Sequence, residues 1–196
     1  QKRDDQGQFW WELRSCAYYE DFEKPKIIYP DIAQATEFTY DKDNFYLGNT
    51  AYIVPTNETW LLGILNSRLM WWFYLSLSSM IRGGFVRFIA QYMEQLPIVQ
   101  TGAENRQFII ERVQKILDAP NGLNVSKLEE EINEMVYKLY DLTEDEIKII
   151  EGRWGIIVTK KSHGATRLGQ FDLQTSVHFI PEVWVSLKSK SWKANM

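Results

Sequence analysis

The chain has 196 residues, enough for one domain or one domain with an appendage, and its 45% hydrophobic to 24% charged balance is that of a globular protein. A single cysteine, Cys16, excludes an intramolecular disulfide framework; with only two scattered histidines beside it there is no metal cluster, and a reducing, cytoplasmic setting is expected. The net charge of −4 argues against a uniformly basic nucleic-acid binder, but it is uneven: residues 1–100 carry −3, residues 101–151 carry −6 and residues 152–196 carry +5.

Residues 9–55 read as strands and turns. KIIYPDI (26–32) is a short β-branched run cut by Pro30, and FYLGNTAYIVP (45–55) is another, with Gly48-Asn49 as turn or bulge and Pro55 as stop. The polar TYDKDN (39–44) lies between them as a turn. From Asn57 the period changes: Trp60, Leu61, Ile64, Leu65 and Leu69 recur at helical spacing, with Thr56 or Asn57 as the expected cap. WLLGILNSRLMWWFYLSL (60–77) is the most apolar stretch, but Asn66, Ser67 and Arg68 at its centre predict a buried core helix rather than a membrane span. Trp71-Trp72-Phe73-Tyr74, at helical spacing, is expected in the core rather than stacked on bases. Residues 81–98 return to strand character.

Three helices follow, each opened by Thr or Ser with Glu three residues on: Thr101–Glu104, Ser126–Glu129 and Thr143–Glu146, the spacing of a capping box. The first is expected to bury Phe108, Ile109, Val113, Ile116 and Leu117 and to stop at Ala119-Pro120-Asn121-Gly122. The second aligns Leu128, Ile132, Met135, Val136 and Leu139, and the third is short, with Ile147, Ile149 and Ile150. Acidic first turns complement the helix dipole and account for much of the negative charge. Residues 153–196 keep no sustained period and are rich in Ser, Lys and Trp, an atypical tail of uncertain origin.

Little of this carries reaction chemistry. No Asn/Asp-Pro-Pro-aromatic loop and no cofactor-binding glycine motif occurs. Asp145-Glu146-Ile147-Lys148 has the spacing of a nuclease carboxylate–lysine pair but sits at a helix start, where capping is the expected role. His163 and His178 lie in the tail with no nucleophile beside them. The exception is IRGGFVRF (81–88), where Arg82 and Arg87 flank Gly83-Gly84. Glycine permits a sharp turn or close backbone approach, and arginine suits guanine or phosphate. Two readings stand side by side: a turn pressed against nucleic acid, or a bulged hairpin with two exposed arginines.

Taken in order, FWWELRSCAYYEDFEKPKIIYPDIA (9–33), NTAYIVP (49–55), LLGILNSRLMWWFY (61–74), IRGGFVRFIAQYMEQLPI (81–98) and LEEEINEMVYKLYDLTEDEIKIIEG (128–152) resemble the C-terminal specificity domain of TaqI-like adenine DNA methyltransferases and of fused type II restriction–modification enzymes. The resemblance covers residues 9–152 and leaves 153–196 outside. It implies an α+β fold: a curved, mainly antiparallel sheet with one packed helix in a target-recognition domain at 9–100, then a helical subdomain at 101–152. It further implies a DNA-reading, non-catalytic module of an adenine-N6 methyltransferase or bifunctional restriction enzyme, of use in phage defence. Its expected partners are double-stranded DNA and the parent's methyltransferase domain; no membrane is expected. S-adenosylmethionine belongs to that parent, and no cofactor is expected in this chain. The expected DNA-binding set is Lys24, Lys26, Asn49, Arg82, Gly83, Gly84 and Arg87. The rival readings are a type I-like specificity subunit docking through helix 104–117, and a protein-interaction module that binds no DNA.

Overall fold

The computed structural model describes residue 9 and residues 18–120 and 123–152. After a 3-10 turn (Tyr19–Glu23) come strands β1 (Lys26–Pro30), β2 (Ile32–Ala33), β3 (Thr39–Asp41) and β4 (Ala51–Pro55). Helices α1 (Thr59–Leu65) and α2 (Arg68–Leu77) precede β5 (Val86–Arg87) and α3 (Ala90–Met93), and α4 (Ala103–Leu117) and α5 (Ser126–Leu139) lead to a closing helical run at 144–152. The expected α+β class is observed, with antiparallel strands in two small sheets rather than one curved one. In the first, β1 lies between β3 and β4, with Ile27 opposite Tyr40 and Val54 and Tyr29 opposite Tyr52. In the second, Ile32 faces Arg87 and Ala33 faces Val86.

Four stretches differ from the sequence reading, the first being Thr39–Asp41, expected within a turn and found as strand β3 because it pairs with β1. Residues 45–50 form a loop rather than strand, and 81–98 contributes one bridged turn, a two-residue strand and the short α3. The apolar stretch at 60–77 is two helices, broken at Asn66-Ser67. The side chains there bond backbone in place of the helix ladder. Ser67, in extended conformation, accepts from the Met70 amide and caps α2. Asn66 pairs with Phe38 as a strand neighbour would, accepting from its amide at 3.1 Å and donating to its carbonyl at 2.9 Å.

Of the three predicted capping boxes, one forms. Thr143 and Glu146 exchange hydrogen bonds, the Glu146 carboxylate taking both the Thr143 amide and hydroxyl while the Thr143 hydroxyl accepts from the Glu146 amide. At α4 the helix begins after Gly102, so Thr101 lies one residue too early to cap it. At α5 Ser126 is already helical, and Asn124 accepts its amide at 2.9 Å. Asp145 pairs with Lys148 on the exposed surface, so the nuclease-like spacing is a cap and a surface ion pair.

One apolar core runs through both the stranded and the helical parts. Trp71, Phe73 and Tyr74 of α2 are buried, as are Ile109 and Val113 of α4, Ile132 and Val136 of α5 and Ile150 of the closing run. The expected core residues Phe108, Ile116, Leu128, Met135, Leu139 and Ile147 are half-buried, and Leu117 and Ile149 are exposed. Phe88 joins strands to helices: its ring stacks on Tyr74 at 4.4 Å and meets Phe38 edge-on at 5.6 Å. Gly63 lets α1 approach α4, since a Cβ there would lie 2.6 Å from Ile109 Cγ2. Arg68, at the start of α2, pairs with Glu130 of α5 at 2.7 Å and with Glu151 at 2.9 Å, and Tyr137 donates to Glu151 as well. Among the described residues no helix is long and apolar enough to cross a membrane.

Candidate nucleic-acid interface

Residues 81–88 form the tip and root of an exposed hairpin. Ile81 and Phe85 bridge antiparallel, the Ile81 amide donating to the Phe85 carbonyl at 2.8 Å, so Arg82, Gly83 and Gly84 make the three-residue tip. Both glycines have positive φ, +90° at Gly83 and +80° at Gly84, where a side chain is strained. The turn therefore requires the Gly-Gly pair, and Gln34 holds it from outside by donating to the Gly83 carbonyl at 2.9 Å.

Past the tip the chain alternates strictly. Val86 and Phe88 are buried, and Arg87 between them points outward with its side chain 54% exposed. Three contacts hold Arg87. Its backbone pairs with Ile32, its carbonyl accepts from the Tyr74 hydroxyl at 2.6 Å, and its Nη2 donates to both Asp31 oxygens at 3.0 and 3.3 Å. The hydrogen bond and charge of Asp31 raise the Arg87 pKa above its ordinary value. The Tyr52 hydroxyl reaches the same carboxylate at the long distance of 3.5 Å. Arg82 is exposed at the tip, and no carboxylate bonds it among the described residues.

Asn49 is exposed in the turn before β4, beside Thr50, whose carbonyl accepts from the Asp31 amide at 2.9 Å. Arg87 and the turn that carries Asn49 thus lie beside Asp31, while Arg82, Gly83 and Gly84 form the tip of the hairpin beyond them. The two lysines are not among them. Lys24 and Lys26 lie at the other end of β1, a strand spanning about 13 Å at ~3.3 Å per residue. Lys24 is exposed and pairs with Asp21 at 2.8 Å. Lys26 must be withdrawn from the expected DNA-binding set, because its side chain is completely buried. Its ammonium pairs with Asp41 at 2.5 Å and donates to the Phe22 carbonyl at 2.7 Å, leaving nothing to present to a ligand. Asp41 also accepts from the amides of Asp43 and Phe45.

Sequence reasoning missed Asp31, Gln34 and Tyr52. Asp31 stands directly after Pro30 at the end of a strand pattern, a position that carries no signal until β2 and β5 pair and bring Arg87 beside it. Among the described residues no group of His, Cys, Asp and Glu is arranged to hold a metal. Cys16, His163, His178 and the tail 153–196 lie outside the described residues.

This geometry sits inside a recognisable segment. Residues 5–98 match the TaqI-like C-terminal specificity domain. The type II methyltransferase M.BstVI of Geobacillus stearothermophilus is 26% identical over 147 residues, covering 72% of this chain and 24% of that protein. M.XhoI of Xanthomonas vasicola, also a type II methyltransferase, is 29% identical over 130 residues, 64% of this chain and 22% of its own length. M.BanIII of Aneurinibacillus aneurinilyticus is 24% identical over 135 residues, 64% of this chain and 23% of its own. The chain spans about a quarter of the length of the curated relatives it matches. The matched segment holds every strand among the described residues, α1 to α3 and the whole Arg82–Arg87 hairpin, so what this chain shares with the TaqI-like C-terminal specificity domain is its stranded half.

Proposed function

We propose that this chain is the DNA target-recognition module of a type II methyltransferase, and more narrowly of an adenine-N6 methyltransferase or a bifunctional restriction–modification enzyme. The observation that carries the reading is the exposed Arg82-Gly83-Gly84 tip with the outward Arg87, inside the segment matched to a specificity domain. Arginines on a projecting turn contact phosphates and base edges, and a rigid root fixes which base they meet. The module reads sequence and leaves methyl transfer to a separate domain of the parent, which binds S-adenosylmethionine. What supports that division is the lack of a base-clamping Asn/Asp-Pro-Pro-aromatic loop in these 196 residues.

The test is binding of the 196-residue chain to a randomised duplex pool over a salt series, with selection and sequencing of the bound fraction. The reading expects affinity that falls with rising salt and a bound pool enriched in one short sequence. Salt-independent binding, or a bound pool as random as the input, would overturn it. Incubation with labelled S-adenosylmethionine and the selected duplex should leave the DNA unlabelled; transfer above a heat-killed control would refute the non-catalytic role.

A further inference from the structure

Resting on the DNA-recognition reading, we infer that Arg87 and Asp31 together read a single G·C base pair, and that Arg82 is a sequence-blind phosphate contact. Arg87 is fixed at backbone and side chain alike: Tyr74 holds its carbonyl, Ile32 pairs its strand, and buried Val86 and Phe88 anchor it on either side. Its guanidinium is engaged through Nη2 alone, both bonds going to Asp31, so Nε and Nη1 keep their donors among the described residues. A pre-oriented donor set suits a base edge, where hydrogen-bond geometry decides specificity.

The carboxylate argues the same way. Asp31 neutralises Arg87 locally, and its oxygens would repel any phosphate brought to that guanidinium. A base edge is treated differently. In the major groove a G·C pair presents two acceptors, guanine N7 and O6, followed by one donor, cytosine N4. The site offers the two hydrogens of Arg87 Nη1 to that pair of acceptors and, held beside them on Nη2, an acceptor of Asp31 to the cytosine amine, which is the complement. An A·T pair presents acceptor, donor, acceptor, and would set its adenine amine against the guanidinium. Arg82 has the opposite character. It sits between exposed positions at the tip, next to two glycines, with no carboxylate bonded to it among the described residues. An unneutralised cation on such a tip contacts the DNA backbone without regard to sequence.

The experiment uses the full chain, the selected duplex and the randomised pool, with each variant checked for folding by its melting temperature. The charge-conserving double variant Asp31→Asn/Arg87→Gln should lose roughly 5- to 150-fold of the selected-over-random preference. The loss should fall at one G·C position, with the salt slope unchanged. Asp31→Asn alone should free Arg87 for phosphates, raising the slope of log K against log salt by about one while preference declines. Arg82→Ala should weaken selected and random duplex by the same factor and lower that slope by about one. The inference is overturned if the double variant keeps the wild-type preference, if its loss maps to an A·T position, or if Arg82→Ala relaxes sequence preference. A wild-type chain that binds no duplex refutes the recognition reading itself and this inference with it. A wild-type chain that selects a sequence, beside a double variant that selects the same one, refutes only the inference.

Discussion

Lys26→Met is the most informative perturbation of stability, because it strands a charge. Lys26 and Asp41 are 0% and 3% exposed and 2.5 Å apart, so neither ion is screened by water. Burial alone would raise the Asp41 pKa, but the Lys26 bond and charge and the Asp43 and Phe45 amides outweigh it and hold the carboxyl below its ordinary 3.8. Removing the ammonium leaves an uncompensated buried carboxylate, which costs about 3–5 kcal/mol. For a chain of this size that corresponds to a drop of roughly 6–20 °C in melting temperature, at ~2–4 °C per kcal/mol. A depressed carboxylate pKa contributes stability that is full above 3.8 and lost as pH falls through the folded value. The gap between wild type and Lys26→Met should therefore be widest at neutral pH and narrow on acidification through that window. Adding Asp41→Asn, which keeps an acceptor for the two loop amides, should recover much of the loss. Urea-unfolding midpoints across pH are the assay. A neutral-pH cost below about 1 kcal/mol, the scale of a surface pair, would refute the reasoning. So would a cost that does not change with pH.

Three further outcomes follow from the geometry. Gly63→Ala should destabilise by about 1–3 kcal/mol through overpacking against Ile109 Cγ2, and Ile109→Ala in the same chain should relieve part of it; a double-mutant cycle in urea measures the coupling. Tyr140→Phe should cost about 1–3 kcal/mol, since the Tyr140 hydroxyl donates to the Pro97 carbonyl and accepts from the Val99 amide, and thermal melting reads the loss. Gly84→Ala meets open space but a φ of +80°, so about 1–2 kcal/mol of strain should loosen the tip, seen as faster exchange of the Ile81 amide without a matching fall in global stability; Gly83→Ala should be worse, because its Cβ would also lie 3.2 Å from the Phe85 ring.

What the sequence determined by itself is local or periodic. The helices at 103–117 and 126–139 and the Thr143–Glu146 cap rest on spacings of three or four residues, and the buried tetrad Trp71-Trp72-Phe73-Tyr74 on a run apolar all round its helix. The Gly83-Gly84 turn was legible too, because only glycine takes two successive positive φ values without strain. Tertiary structure decided the rest. Asn66 breaks the long apolar helix because Phe38, 28 residues away, offers its backbone as a partner. Lys26 reads as a surface cation in isolation and becomes a core residue because β3 brings Asp41 directly opposite it. The glycines left the register of Arg87 open in the sequence. The burial of Val86 and Phe88 and the pairing of β5 with β2 settle that it faces outward, beside an aspartate 56 positions earlier. Charge type and local spacing are properties of the chain, but which charges meet water, and which meet each other, follows from the register of strands far apart in sequence.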